Sequence, residues 1–350
     1  MRIVLFCENK YAVDILYPLY VDATKDGEHE VLWYIHYVKI PQFSLQDEVV
    51  WTNSIQKVYN FSPEAIFVPG NIVPYYLPGV KIQVFHGYAA EKKDHWVIRH
   101  YFDTYFTQGP FFTKEFTRLS KQYNNFEVVE TGWPKQDWIK QNLHTFDADK
   151  MKLLEDHGKD KVVLYAPTFS PSLSSLPHLK EALVRLVAEK SVVLLLKFHP
   201  LTRQEWMDDY KALASEHEHI VWIDDLNVTK YQLMSDIMIS DTSSTVYEFL
   251  LLNKPVITYC TISKNIYWSN IVDAPLLCDE YETILVDINS RALSQSVVDN
   301  YDPYLDGKVC QRMLTAAQDY INRNGVPQQR KVNLWRKFTS IKTFGRIKRR

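Results

Sequence analysis

The sequence is poor in several features that would by themselves assign it to a class. Its 350 residues contain only four cysteines, Cys7, Cys260, Cys278 and Cys310, far apart and in no CxxC or zinc-type spacing. A disulfide framework and a thiolate metal site are thereby set aside, and reduced thiols fit best. No stretch approaches the roughly 18 apolar residues that a membrane-crossing helix requires. The opening MRIVLFCENK has a brief apolar run before Glu8, too short for a signal peptide, and reads as a first buried strand. Net charge is also nearly absent. Forty basic side chains against 42 acidic ones leave a formal charge of −2, which argues against nucleic-acid binding by bulk electrostatics. Neither a solenoid-type repeat nor a low-complexity segment occurs.

What is present is a rhythm. Short β-branched runs at 2–6, 30–35, 65–69, 82–86, 104–108, 127–131, 161–167, 192–198, 220–224, 236–240 and 255–260 alternate with amphipathic segments at 11–25, 110–122, 177–190, 203–217, 244–253 and 308–324. The strand runs are almost continuously apolar, the pattern of sheets covered on both faces and therefore mostly parallel. The alternation predicts an α/β protein of doubly wound type. The rhythm pauses over the polar residues 138–160, and the length exceeds what one core usually supports. We therefore expect two Rossmann-like domains, 1–150 and 151–325, facing a cleft, followed by a basic tail, 326–350. In open α/β sheets ligands bind beyond the carboxyl ends of the strands, so polar residues there are singled out.

Three strand ends carry them. In SDTSSTVYEF, Asp241, Thr242, Ser243 and Ser244 sit where a strand passes into a helix, with Glu248 one turn further on. Hydroxyls, unpaired backbone N–H groups and the helix dipole together suit an anion such as phosphate. The plainer reading is ordinary helix capping. In KFHP, Pro200 stops the strand and displays His199, which is able to donate to a phosphate oxygen or, more plainly, to be a half-buried histidine. In FHG, Gly87 admits a close approach, and His86 has the unperturbed pKa of a general base, near 6.5. Here too, a histidine that merely ends a strand is the simpler alternative. Their co-occurrence points to a two-domain nucleotide-dependent transferase.

The ordered series FHG…KK, FTQGPFFTKEF, ETGWPKQDWI, VLYAPTF, LLLKFHP and MISDTSSTVYEFLLLNKPVI resembles the CDP-glycerol glycerophosphotransferases, the teichoic-acid primases and polymerases of GT-B architecture. The resemblance runs from about residue 80 to about residue 260. It implies that His86 is the base that deprotonates an acceptor hydroxyl. It implies that His199, Ser243 and Ser244 hold the donor pyrophosphate, that Thr168 touches phosphate, that Glu248 contacts the nucleoside and that Asp241 shapes the loop. The implied reaction is attack on the β-phosphate of a CDP-activated polyol, with release of CMP and no cofactor or metal. The acceptor would be a cell-surface glycan or a lipid-linked one, as in teichoic-acid or capsule synthesis. The lysines after His86 depart from the usual family spacing by one place, so Lys92 and Lys93 are expected to touch acceptor or donor. A nucleotide-sugar glycosyltransferase, a sugar-nucleotide epimerase and a non-catalytic membrane-associated scaffold are the alternatives.

Two further features stand outside that series. Residues 330–350 carry nine Lys or Arg and no acid, with Leu334, Trp335, Phe338, Ile341, Phe344 and Ile347 at roughly helical spacing. This reads as an amphipathic helix for an anionic membrane surface, or else as a solubilising tail or a helix packed on the body. With the resemblance, it implies a cytoplasmic protein peripheral at the inner face of a bacterial membrane. Asp224 and Asp225 invite a metal site, but a solvated loop that caps the next helix is the plainer reading.

Overall fold

The computed structural model describes residues 1–88, 90, 93–225, 227–259, 269–286 and 288–348. The chain forms two compact units, Met1–Gln141 with Asn300–Arg350, and Asn142–Asp299. In the first unit the strands are β1 (Arg2–Cys7), β2 (Glu30–Ile35), β3 (Trp51–Thr52), β4 (Ala65–Val68), β5 (Val80–Gln83), β6 (Thr104–Thr107) and β7 (Glu127–Glu130). They lie in the order β3-β2-β1-β4-β5-β6-β7, every pairing parallel. The second unit contains β8 (Lys161–Tyr165), β9 (Val192–Leu196), β10 (Ile220–Trp222), β11 (Ile237–Ser240), β12 (Val256–Tyr259) and β13 (Ser269–Ile271). Their order is β10-β9-β8-β11-β12-β13, again parallel throughout. Each is a doubly wound sheet whose strand order reverses beside its first strand, the place where such sheets open a crevice.

The parallel arrangement follows from the strand composition. Ile3 to Cys7 are all fully buried, as are Val192 to Leu194, so neither face of these strands meets water and both must be covered by helices. Helix Leu176–Glu189 shows how the cover is made. Pro177 starts it at a position where no backbone donor is needed, and Leu176, Leu179, Ala182, Leu183, Leu186 and Val187 form one buried stripe.

The unit boundaries differ from those expected. The polar stretch 138–160 is divided between helix Lys135–Gln141, in the first unit, and helix Asp147–His157, in the second. Residues 300–325, expected in the second domain, return to the first. The reason is the apolar stripe of helix Val309–Asn324. Val309, Cys310, Met313, Leu314 and Ala317 join the core built by Ile3, Leu5, Leu16 and Leu19. The buried carboxylate of Asp137 completes the junction by accepting from the first two backbone N–H groups of that helix, Val309 (3.0 Å) and Cys310 (2.7 Å).

The tail is a docked helix, Leu334–Phe344, capped by the Asn333 side chain accepting from Arg336 N. Its expected apolar stripe is divided. Phe344 is buried against Phe6 and Tyr34, whereas Leu334, Trp335 and Phe338 are 83%, 70% and 60% exposed. Arg330 anchors the approach by an ion pair with Asp103 and a hydrogen bond to His100 O. Among the described residues no helix is long and apolar enough to cross a membrane. Cys7, Cys278 and Cys310 are buried free thiols, and Cys260 lies outside the described residues.

Candidate functional site

In the second unit, the residues singled out by sequence converge at the switch point. Thr168 follows β8 and Asp241 follows β11, and these two strands are neighbours in the sheet. Asp241 is fully buried. Its Oδ1 accepts from Thr168 N at 2.8 Å, and its Oδ2 accepts from Ser175 N at 2.7 Å and Ser175 Oγ at 2.8 Å. One carboxylate therefore fixes the loop after β8 against the loop after β11. Burial pushes its pKa up to about 6, against the opposing pull of the hydrogen bonds from Ser175 and Thr168.

The hydroxyls of the second loop are arranged beside it. Ser243 Oγ lies 2.8 Å from Thr245 Oγ1, and Ser243 and Ser244 are both half-buried. The helix that follows is shorter than the expected 244–253. It spans Thr245–Leu250, because the chain tightens into a turn with Asn253 at φ +56°. Glu248 is buried on this helix.

His199 stands three residues beyond β9, not at the strand end, because Lys197 and Phe198 leave the sheet first. It is exposed, and its ring stacks on Phe169 with centroids 4.4 Å apart. Its Nδ1 accepts from the Leu201 backbone N–H at 3.1 Å. A ring that accepts at Nδ1 carries its proton on Nε2, so it presents a donor. Beneath it Lys197 is buried, and that burial lowers its pKa while Asp225 and Asp224 raise it. Sequence reading missed both Lys197 and Phe169. They flank the HP and YAPT motifs and were visible only as members of apolar runs.

In the first unit His86 also stands three residues past its strand, the fifth and not the fourth, since β3 is only two residues long and carries no run. The chain leaves β5 through a left-handed turn, with Phe85 at φ +58° and Gly87 at φ +143°. A non-glycine residue held at such an angle costs about 1–3 kcal/mol and persists only when its surroundings fix it. His86 is exposed, 5.1 Å from the Tyr11 ring, and its Nδ1 is 3.2 Å from Pro69 O. A carbonyl can only accept, so Nδ1 carries the proton and Nε2 is the basic nitrogen. The neutral rings thus carry their protons on opposite nitrogens, Nδ1 in His86 and Nε2 in His199. Behind the turn His95 stacks on Phe85 at 5.0 Å, and burial, reinforced by the charge of His86, lowers its pKa to about 3.

Lys93 is exposed at the start of a single 3₁₀ turn, Lys93–Trp96, and Lys92 lies outside the described residues. Asp224 accepts from Trp222 Nε1 at 2.7 Å. Asp225 accepts from Asn227 N at 2.8 Å, and Asn227 caps helix Val228–Met234. The described residues contain no group of three or more potential metal ligands.

The profile of a family described as CDP-Glycerol:Poly(glycerophosphate) glycerophosphotransferase matches residues 24–267. Among curated proteins, the teichoic acid ribitol-phosphate polymerase TarL of Staphylococcus aureus (strain NCTC 8325 / PS 47) is 30% identical over 170 residues, 44% of this chain and 27% of that protein. The teichoic acid glycerol-phosphate primase of Bacillus subtilis (strain 168) is 26% identical over 178 residues, 47% of this chain and 45% of that protein. The chain thus spans about a quarter to a half of the length of these relatives. Among solved structures, the wall teichoic acid polymerase TagF superposes with a TM-score of 0.65 at 16% identity, over 92% of this chain and 89% of that one. The UDP-GlcNAc 2-epimerase of Neisseria meningitidis does so with a TM-score of 0.61 at 12% identity, over 91% and 100%. These likenesses establish a GT-B-like fold.

Proposed function

Because the chain belongs to the CDP-glycerol:poly(glycerophosphate) glycerophosphotransferase family, we propose that it transfers a phospho-polyol, glycerol phosphate or a similar unit, from a CDP-activated donor to a hydroxyl of a cell-surface glycan or lipid-linked acceptor. The acceptor oxygen attacks the β-phosphorus of the donor. The bond from that phosphorus to the bridging oxygen breaks, and CMP leaves with the electron pair. The acceptor proton passes to Nε2 of His86. His199 donates from Nε2 to a phosphate oxygen, and the hydroxyls of Thr168, Ser243 and Ser244 supply further donors. Glu248 is assigned to the nucleoside, and Lys92 and Lys93 to the acceptor or the donor. Catalysis is then positioning and charge stabilisation, the usual logic of phosphoryl transfer. The observation that carries this reading is the opposite polarity of the two histidines, His86 tied to a carbonyl and His199 to a backbone N–H.

The test incubates the protein with CDP-glycerol, CDP-ribitol and a panel of nucleotide sugars and follows the nucleotide released. CMP is expected. UDP alone would replace the reading with a nucleotide-sugar glycosyltransferase, and no release from any donor would favour a non-catalytic scaffold.

We further propose that the protein acts at the inner face of a bacterial cell membrane as a peripheral protein. Support comes from the exposed Leu334, Trp335 and Phe338 on a helix that also carries Arg336, Lys337 and Lys342. An anionic leaflet attracts such residues by about 1 kcal/mol per basic side chain.

A further inference from the structure

The strained turn that displays His86 is held from behind by a segment distant in sequence. Gln108 Nε2 donates to Gly87 O at 2.9 Å, and Trp133 Nε1 donates to Phe85 O at 3.4 Å. Tyr88, next after Gly87, is buried, and its hydroxyl donates to Asp302 Oδ2 at 2.6 Å. Gln136 Nε2 donates to the same hydroxyl at 2.9 Å, which leaves the hydroxyl proton for the Asp302 carboxyl group. Asp302 Oδ2 also accepts from the Trp133 backbone N–H at 3.0 Å, and Oδ1 accepts from Tyr304 N at 3.3 Å. One buried carboxylate therefore joins the loop after β5 to the loop after β7.

The sequence makes room for this carboxylate at two glycines. A Cβ on Gly109 would lie 2.6 Å from Tyr301 O and 3.0 Å from Pro303 Cδ. A Cβ on Gly132, at φ +90°, would lie 2.8 Å from Val309 Cγ2, 2.9 Å from Tyr304 Cβ and 3.3 Å from Asp302 Oδ1. Backbone carbonyl and ring atoms at such distances cannot yield without moving the segment. Gly109 belongs to TQGPFF and Gly132 to TGWPKQD, so the glycines of both motifs admit residues 301–304.

We propose that the return segment Tyr301–Tyr304, through Asp302 and its bond to Tyr88, is a positioning element that sets the orientation of His86. Asp302 touches no reacting atom in this scheme; it acts through the turn. Only the kinetic arm of the test rests on the phosphotransfer reading.

The test uses the full chain with Tyr88→Phe, which removes one hydroxyl and keeps the ring, and Asp302→Ala, with Asp302→Asn as the variant that keeps an acceptor. The His86 ring signal, assigned by its loss in His86→Ala, is followed by heteronuclear NMR. It is expected to move in Tyr88→Phe and Asp302→Ala while that of exposed His144 stays in place. Turnover of a CDP-polyol is expected to fall about tenfold or more in Tyr88→Phe with the donor KM within twofold, as misplacement of a reacting group by under an ångström can do. Asp302→Asn should retain more turnover than Asp302→Ala. Val58→Ala, a core truncation in the same unit, controls for lost stability and should move neither readout. A His86 signal and turnover unchanged in Tyr88→Phe would overturn the proposal. If the wild-type protein turns over no CDP-polyol, the phosphotransfer reading fails by itself, and the His86 signal alone decides the positioning claim. Tyr88→Phe decides it equally if Asp302→Ala does not fold.

Discussion

Two buried aspartates, one in each unit, perform the same task by different routes. Asp241 gathers donors from Thr168 and Ser175, 73 and 66 residues away, and it lies on the very loop whose serines it supports. Asp302 gathers donors from Tyr88 and Trp133, 214 and 169 residues away, and belongs to no loop of its site. The second-unit crevice is thus self-contained, while the first-unit turn depends on a segment that returns from the far side of the other unit's sequence. Asp241 stands in a quoted motif; Asp302 stands in none.

The largest way to sharpen this contrast is at the histidines. His86→Ala is expected to lower turnover by about 10³-fold, within the range for loss of a general base, with CDP binding within twofold of wild type. His199→Ala should instead weaken nucleotide binding as well. Equal effects of the two on CDP affinity, measured by calorimetry, would erase the distinction between base and donor.

Next in size is the hub itself. Asp241→Ala leaves the buried N–H and hydroxyl of Ser175 and the half-buried N–H of Thr168 without this acceptor, at about 1–3 kcal/mol for each fully buried group. We expect about 3 kcal/mol or more of lost stability in the second unit by chemical denaturation, and roughly half that for Asp241→Asn, which keeps one acceptor oxygen. A variant as stable as wild type would remove Asp241 as the hub.

A smaller effect separates the aspartates by pH. Burial raises the Asp302 carboxyl to about 8, opposed by the hydrogen bonds from Tyr88, Tyr304 and Trp133 and by the charge of Arg312. An acid whose folded pKa lies above its unfolded value, near 3.9, binds more protons folded than unfolded. Its contribution is complete below about pH 4 and is lost as pH rises through 8, by at most about 1.4 kcal/mol per pH unit. His95 acts in the opposite sense, because its folded pKa of about 3 lies below the ordinary 6.5, so its contribution is complete above 6.5 and lost on acidification. Asp241, at about 6, has largely titrated by about pH 7. Burial also lowers Lys81 and Lys254 to about 8, and their contribution to stability rises with pH over the same window. The Asp302 contribution is therefore read from the difference between wild type and Asp302→Asn, in which the other groups cancel. Between about pH 6.5 and 8 wild type should lose stability relative to Asp302→Asn, and parallel curves would refute the assignment.

The smallest expected effect concerns the surface that only the first unit carries. Trp335→Ser with Phe338→Ser should weaken binding to anionic vesicles several-fold at low salt, by loss of buried apolar area. Unchanged sedimentation with vesicles would dismiss the membrane role.

The legible parts of the molecule were those with local causes. Continuous runs such as VVLLL announce a strand buried on both faces. Trp51–Thr52 and Ser269–Ile271 were not seen because two or three residues at a sheet edge carry no run. The runs read as strands before His86 and His199 end two to three residues beyond the sheet, since Phe85 and Phe198 are apolar yet already outside it. Apolarity reports burial, and a buried turn is as apolar as a strand. Of the candidate site, Thr168 and Asp241 stand within quoted motifs, but Ser175, which gives Asp241 two of its three hydrogen bonds, stands in none. Around the His86 turn, Gln108 and Trp133 stand in the quoted motifs FTQGPFFTKEF and ETGWPKQDWI, whereas Tyr11 and Asp302 stand in none and are brought there by folding alone.

The discontinuity of the first unit also has a consequence in time. During synthesis the chain 142–299 is complete before residue 302 leaves the ribosome, so the second unit is free to fold while the first still lacks its closing helix and its clamp. A chain halted just before residue 300 would hold every motif of the series. Yet the histidine turn would have nothing behind it, and the apolar faces awaiting Val309, Met313 and Ala317 would stand open to water. Residues 300–350 are therefore where the first unit is completed, and a truncation there should be read as an assembly defect before it is read as the loss of a tail.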